Sequence, residues 1–215
     1  MTIREREDAM FKELRELAPD VVPDGLANEA EFRAAPLRIV YVLKEVNGAV
    51  PDLRDFLKNG GRPQTWDTVA RWTEAILKCD IEHEWSYWAS AGDKRREKYL
   101  PKIGVVNLKK TPGGHTSVSA QVRIGAERFH EIIKAQLELY RPHLVICGGT
   151  SSDLCKYCFP NESFEWKQTV RGIWYADTGK FILISYVHPE ARVSDNILHY
   201  PLVEAVHEII GKRGH

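Results

Sequence analysis

The sequence predicts an α/β fold: a three-layer α/β/α sandwich around a central, mainly parallel four-stranded sheet. Three observations lead there. Four short runs, 37–43, 103–108, 143–147 and 181–186, are apolar and rich in β-branched residues, as strands buried on both faces are. Amphipathic stretches at helical spacing separate them. Each run ends abruptly in polar or glycine-rich sequence, where an open parallel sheet gathers its functional loops.

Taken in order, Met10, Phe11, Leu14 and Leu17 mark a helix over 4–18 that stops at Pro19. Residues 20–35 read as a loop or a short helical turn. Leu37–Leu43 is the first strand, and the chain changes character at Lys44-Glu45-Val46-Asn47-Gly48. Val69, Trp72, Ile76 and Leu77 share one face of a helix over 66–78. Residues 80–100 are less regular, with Trp85, Tyr87 and Trp88 running into Lys94, Arg95, Arg96 and Lys98. Ile103–Leu108 is the second strand, closed by Pro112-Gly113-Gly114. A long helix follows, burying Phe129, Ile132, Ile133 and Leu137. His143–Cys147 is the third strand, ended by Gly148-Gly149, and Ser151–Tyr157 starts another helix. A hairpin is expected over 169–179. Phe181–Tyr186 is the last core strand, and Pro201 suits the first turn of a final helix carrying Leu202, Val203, Val206, Ile209 and Ile210.

At 215 residues the chain is long enough for one domain, 1–215, with a helical N-terminal segment (1–35) and an aromatic, basic insertion (80–100). Hydrophobic residues at 43% and charged residues at 28% exclude a wholly disordered chain. The 30 basic and 30 acidic side chains cancel, which speaks against a strongly basic nucleic-acid binder. The cancellation hides an asymmetry. Residues 1–31 hold nine acidic and four basic side chains, whereas residues 94–110 hold seven basic ones and one acidic, Glu97. That basic run leads into the loop after the second strand, where phosphate contacts would need it.

No apolar run approaches the ~20 residues of a membrane span. Met1–Asp8 is charged and lacks an apolar core, so no secretory signal is expected. Four cysteines do not form a disulfide framework, and a reducing cytoplasm is the expected compartment. Cys155 and Cys158 have the gap of a metal motif but no second pair to complete it. Neither a metal nor a cofactor is expected.

The four strand ends, in this order, resemble the uracil-DNA glycosylase superfamily across roughly residues 37 to 210. Leu43-Lys44-Glu45-Val46-Asn47-Gly48 stands where that family carries a catalytic Asp, Glu or Asn. Val105-Val106-Asn107-Leu108-Lys109-Lys110-Thr111-Pro112 is similar to its strand ending in a base-reading Asn. Arg141-Pro142 before the strand ending at Gly148 matches a third landmark. Val187-His188-Pro189-Glu190-Ala191-Arg192-Val193-Ser194 matches the last, a strand running into His-Pro. The first motif departs from the family in lacking its proline, and two residues compete for the catalytic place.

Cleaving a base–sugar bond leaves an oxocarbenium-like sugar and an anionic base, so both charges must be stabilised and a water supplied. The resemblance implies that Glu45 or Asn47 does the first work. Glu45 stands slightly ahead, because a carboxylate can both stabilise the sugar and orient the water. Asn47-Gly48 also reads as an ordinary turn pair. His188 would donate to the pyrimidine O2, and Asn107 would read the edge of the flipped base. Trp66 stands where the family places its stacking aromatic, with Phe56 as substitute. Gly48 puts no aromatic against pyrimidine C5, where the strictly uracil-specific branch has a Tyr. Room is therefore expected for a C5-substituted pyrimidine. Lys109, Lys110, Ser151, Arg192, Val193 and Ser194 are the expected DNA contacts, Arg192 and Val193 as candidates for the wedge.

The leading expectation is a monomeric, monofunctional DNA glycosylase. A catalytically silent DNA- or nucleotide-binding module and a hydrolase of small nucleosides are the alternatives.

Overall fold

The computed structural model describes residues 1–48, 50–90, 92–114 and 116–213. Helix α1 (Ile3–Leu17) leads into a two-residue strand β1 (Gly25–Leu26) and a short helix α2 (Glu29–Ala34). Strand β2 (Ile39–Leu43) is followed by α3 (Leu53–Lys58), α4 (Pro63–Lys78), α5 (Trp85–Ala89) and α6 (Asp93–Tyr99). Then come β3 (Ile103–Asn107), α7 (Ser119–Tyr140), β4 (Leu144–Gly148) and α8 (Ser151–Cys158). The hairpin β5 (Trp166–Gln168) and β6 (Trp174–Asp177), strand β7 (Ile182–Tyr186) and helix α9 (Asp195–Arg213) complete the chain.

The class is α/β, and the sheet is larger than expected. Its order is β1-β3-β2-β4-β7-β6-β5. The four long apolar runs pair in parallel at its centre, while β1, β6 and β5 add antiparallel edges. A mixed sheet of seven strands therefore replaces the expected four. Two residues are too few for β1 to leave a periodic signal, and the hairpin extends the sheet by pairing β6 with β7.

Side chains alternate across each strand. Ile39, Tyr41 and Leu43 pack with Val69, Trp72, Leu202 and Val206, from α4 and α9, on one face. Val40 and Val42 pack with Phe129, Ile133, Phe11 and Leu154, from α7, α1 and α8, on the other. Every residue of β2, β3 and β4 is buried, so the apolar runs follow from helices on both sides. The helices after β2 and β3 leave on opposite faces. The loops after Leu43 and Asn107 start at adjacent strand ends, where such sheets place their ligand crevice.

Two helices differ from expectation. Helix α4 starts at Pro63, which fits a first-turn proline. Helix α9 starts at Asp195, leaving Pro201 in its interior. Leu198 and His199, both buried, anchor the turns before the proline, and the Ser194 carbonyl accepts from Ile197 and Leu198 to open the helix.

His199 is 1% exposed, and neither ring nitrogen has a partner among the described residues. Its ring lies against Trp88, Tyr200 and Trp85, with centroids 4.6, 5.2 and 6.0 Å away. Burial, with Arg71 and Arg95 nearby, pushes its pKa from 6.5 down to about 4; Asp80 and Glu74 oppose the shift. Below about pH 6.5 the unfolded chain binds a proton that the folded ring refuses, so stability falls as pH drops toward 4 and levels off beneath. The loss should be on the order of 3 kcal/mol. Urea unfolding at pH 7 and pH 4.5 should show it in the wild type and markedly less in His199→Leu. Equal losses in both proteins would clear His199 of the effect.

Candidate active site

The loops after β2, β3 and β7, together with α3 and the first turn of α4, enclose a cavity of about 240 Å³. Glu45, Asn47, Gly48, Trp66, Asn107 and His188 all line it. Every residue expected for catalysis or base binding meets there.

Parallel pairing continues past the strand ends and fixes the floor. Leu108 and Lys109 donate their amides to the Leu43 and Lys44 carbonyls, both at 2.9 Å. Gly113 donates to Val46 at 2.8 Å, and Asn47 bridges to Gly113. The Glu45 carboxylate is thereby folded inward, its side chain 3% exposed. Oε2 accepts from Lys109 Nζ at 2.6 Å, and Nζ also donates to the Pro112 carbonyl at 2.8 Å. Glu45 is thus paired with Lys109 and held in the site. A β-carbon on Gly113 would overlap the carbon and both oxygens of that carboxylate. The glycine that reads as a strand-closing turn is the seat of Glu45.

Asn107 ends β3 and is buried. Its backbone N–H donates to Asp24 Oδ2 at 2.7 Å. Its side-chain Nδ2 is buried with no partner among the described residues. Such orphan donors are rare and call for a missing acceptor; this one belongs to a residue lining the cavity.

His188 Nδ1 accepts from the Glu190 amide at 3.1 Å. The neutral ring therefore carries its proton on Nε2. Burial lowers the His188 pKa, with Glu190 opposing and Lys44 reinforcing the shift, which favours the neutral donor at physiological pH. Trp66 is buried in the first turn of α4, and Phe56 of α3 lines the same cavity. Gly61, at φ +61°, leaves the Trp66 indole its space: a β-carbon there would overlap the ring. Gly48, at φ +79°, has nothing within 4 Å of where its β-carbon would stand.

The expected DNA contacts fare differently. Lys110 is fully buried, donating to Asp24 at 2.8 and 2.9 Å and to Gln136 at 2.7 Å, so no phosphate can reach it. Lys109 is spent on Glu45. Arg95 binds Glu74 at 2.6 Å, Arg96 binds Asp67 and Asp93, and Lys102 binds Glu31. Lys94 and Lys98 alone of the seven are exposed, so the basic run is not a phosphate-facing patch. Ser151 starts α8 with Oγ 2.7 Å from Ser185 Oγ. Arg192, Val193 and Ser194 lie exposed on the loop that follows His188.

Arg62, Thr65 and Glu190 also line the cavity and were not foreseen. Arg62 is an exposed cation there, and Thr65 Oγ1 donates to Glu190 Oε1, tying α4 to the loop after β7. No local pattern signals a contact across 125 positions of chain. Burial pushes the Cys155 and Cys158 thiols up to about 11 and 12. Among the described residues no group of His, Cys, Asp or Glu could hold a metal, and no helix is long and apolar enough to cross a membrane. No protein-family model matches the chain, and no curated protein does.

Gly113→Ala should cost about 1–3 kcal/mol, the ordinary range for overpacking. In a Glu45→Ala background most of that cost should vanish, giving a clearly non-additive double-mutant cycle in urea unfolding. Additive costs would show that the glycine does not serve the carboxylate.

Proposed function

We propose that the chain is a monofunctional DNA glycosylase of the uracil-DNA glycosylase superfamily, a three-layer sandwich around the four parallel strands. It hydrolyses the N-glycosidic bond of a flipped pyrimidine and leaves an abasic site. The observation that carries this reading is the meeting of Glu45, Asn47, Asn107, Trp66 and His188 around one cavity, with an unpartnered Asn107 donor.

Each group has a task in that chemistry. Asn107 Nδ2–H donates to a carbonyl on the Watson–Crick edge of the base, filling the vacancy the fold leaves. His188 Nε2–H donates to O2, where charge grows as the bond breaks. Glu45 keeps one oxygen on Lys109, while Oε1, with no hydrogen bond among the described residues, orients the water and faces the developing sugar cation. Asn47 assists in holding that water. Trp66 and Phe56 provide the faces against which the extruded base stacks. At about 240 Å³ the cavity lies below the ~300–1,000 Å³ of drug-sized sites, which suits a single-ring base.

The empty space at Gly48 supports, beside uracil, a substrate with a C5 substituent: thymine or a modified cytosine of phage DNA. With Lys109 and Lys110 turned inward, the phosphate contacts fall to Arg62, Arg192, Ser151 and Ser194, and Val193 is the wedge.

Mass spectrometry of bases released from duplex and single-stranded DNAs carrying uracil, mismatched thymine or modified cytosines tests the reading. A free base and an alkali-labile abasic site are expected, without strand cleavage. Glu45→Gln and Asn107→Ala should each slow release about 100-fold or more, and His188→Ala should slow it without abolishing DNA binding. Failure to release any of these bases, from a folded protein, would overturn the reading.

A further inference from the structure

The end of the sheet remote from the candidate active site holds a second concavity, of about 450 Å³. Arg6, Arg33, Arg38 and Arg141 line it, with Glu138. They come from the first turns of α1, the last turn of α2, the residue just before β2, and the C-cap of α7. Arg38 and Arg141 stand at the amino ends of parallel strands, whereas Glu45 and Asn107 stand at the carboxyl ends. A five-residue strand puts about 17 Å between the two. From this arrangement we infer that the concavity is a binding site for a multiply charged phosphate group, independent of the glycosylase reading.

Charge is the first support. Four guanidiniums meet two carboxylates: Glu29, which binds Arg33 at 2.9 Å, and Glu138, which has no ion pair among the described residues. Two positive charges are left over on a chain whose total is zero. Guanidiniums match phosphate oxygens with paired N–H donors, which makes a dianion the fitting occupant.

Backbone conformation is the second. Arg141 sits at φ 46°, in the left-handed region, as the C-cap of α7. Gly or Asn ordinarily takes such a place, and the following Pro142 disfavours helical backbone at Arg141 further. A side chain kept at a strained position points to a use for it. The Arg141 carbonyl accepts from Arg38 Nε at 2.8 Å, so the strained residue also fixes the second guanidinium. Capping the helix end accounts for that one bond. It does not account for Arg6 and Arg141, whose guanidiniums have no hydrogen-bond or ion-pair partner among the described residues.

Calorimetric titration of the full chain with pyrophosphate, at fixed ionic strength, tests the site. Wild type should bind saturably. Arg6→Gln/Arg141→Gln should bind at least about tenfold more weakly while unfolding at a similar temperature, because both side chains are exposed and unpaired. Equal affinity in the two proteins, or heats matched by sodium chloride alone, would overturn the inference. A short deoxyoligonucleotide added as competitor separates the sources. Displacement of pyrophosphate supports the site with nucleic-acid backbone as its ligand, and its absence supports the site with a free phosphate compound. Neither arm depends on base release, so the glycosylase reading can fail while this one stands.

Discussion

The buried carboxylate of Asp24 is the point on which the arrangement of the cavity depends. It has no exposed surface and takes hydrogen bonds from Lys110, Gln136 and the Asn107 amide. A buried charge must be matched and hydrogen-bonded or it is very costly, so these donors have little freedom in where they lie. They come from the end of β3, the loop that follows it and α7, while Asp24 itself precedes the edge strand β1. One carboxylate thus pins the N-terminal segment, the strand that ends in Asn107 and the long helix to one another. Removing either member of such a pair ordinarily costs about 3–5 kcal/mol. Here it would also release the backbone that aims Asn107.

Lys109 and Lys110 show how that constraint reaches the cavity. They are adjacent, both turned inward, and serve opposite ends of the same task. Lys110 holds the Asp24 hub, and Lys109 holds Glu45 in the cavity. Gly125 makes the second possible, since a β-carbon on α7 there would strike the Lys109 backbone. Positive charge that looks available for phosphate is used instead to assemble the site. Arg95 and Arg96 are taken up elsewhere in the fold, by acidic residues of α4 and α6.

The legible part of the molecule was the part with a local signal. Apolar runs bounded by glycine or polar residues located the four central strands, and the residues just beyond them met in the cavity. Glu45, Asn107 and His188 could be found because a parallel sheet delivers its strand ends to one edge. The direction of a charged side chain has no such local signal. A run of lysines and arginines is the same in sequence whether it faces solvent or Asp24, Asp67 and Glu74, which lie elsewhere in the chain. Strand β1 is too short to leave a signal, and Pro201 resembles a first-turn proline although α9 starts at Asp195. In the structure two buried side chains, Leu198 and His199, outweigh it.

Unsatisfied hydrogen-bonding capacity separates the cavity from the rest of this polar interior. Around Asp24 the donors and acceptors are matched, as burial demands. Among the residues around the cavity, and counting partners among the described residues, Asn107 Nδ2 has no acceptor, Glu45 keeps one oxygen unbonded, and His188 is anchored through Nδ1 alone. Orphan groups are not by themselves a site: Trp72 Nε1 and both nitrogens of His199 are also unpartnered among the described residues. Those are buried against aromatic rings and line no part of the cavity, so the cost of burial is simply borne. Only where vacancy and an open cavity coincide can a ligand restore the missing bonds. Asp24 is saturated and holds the Asn107 backbone N–H, yet among the described residues the side-chain Nδ2 of that same residue has no acceptor, so at Asn107 a fixed backbone and a vacant donor meet beside an open cavity.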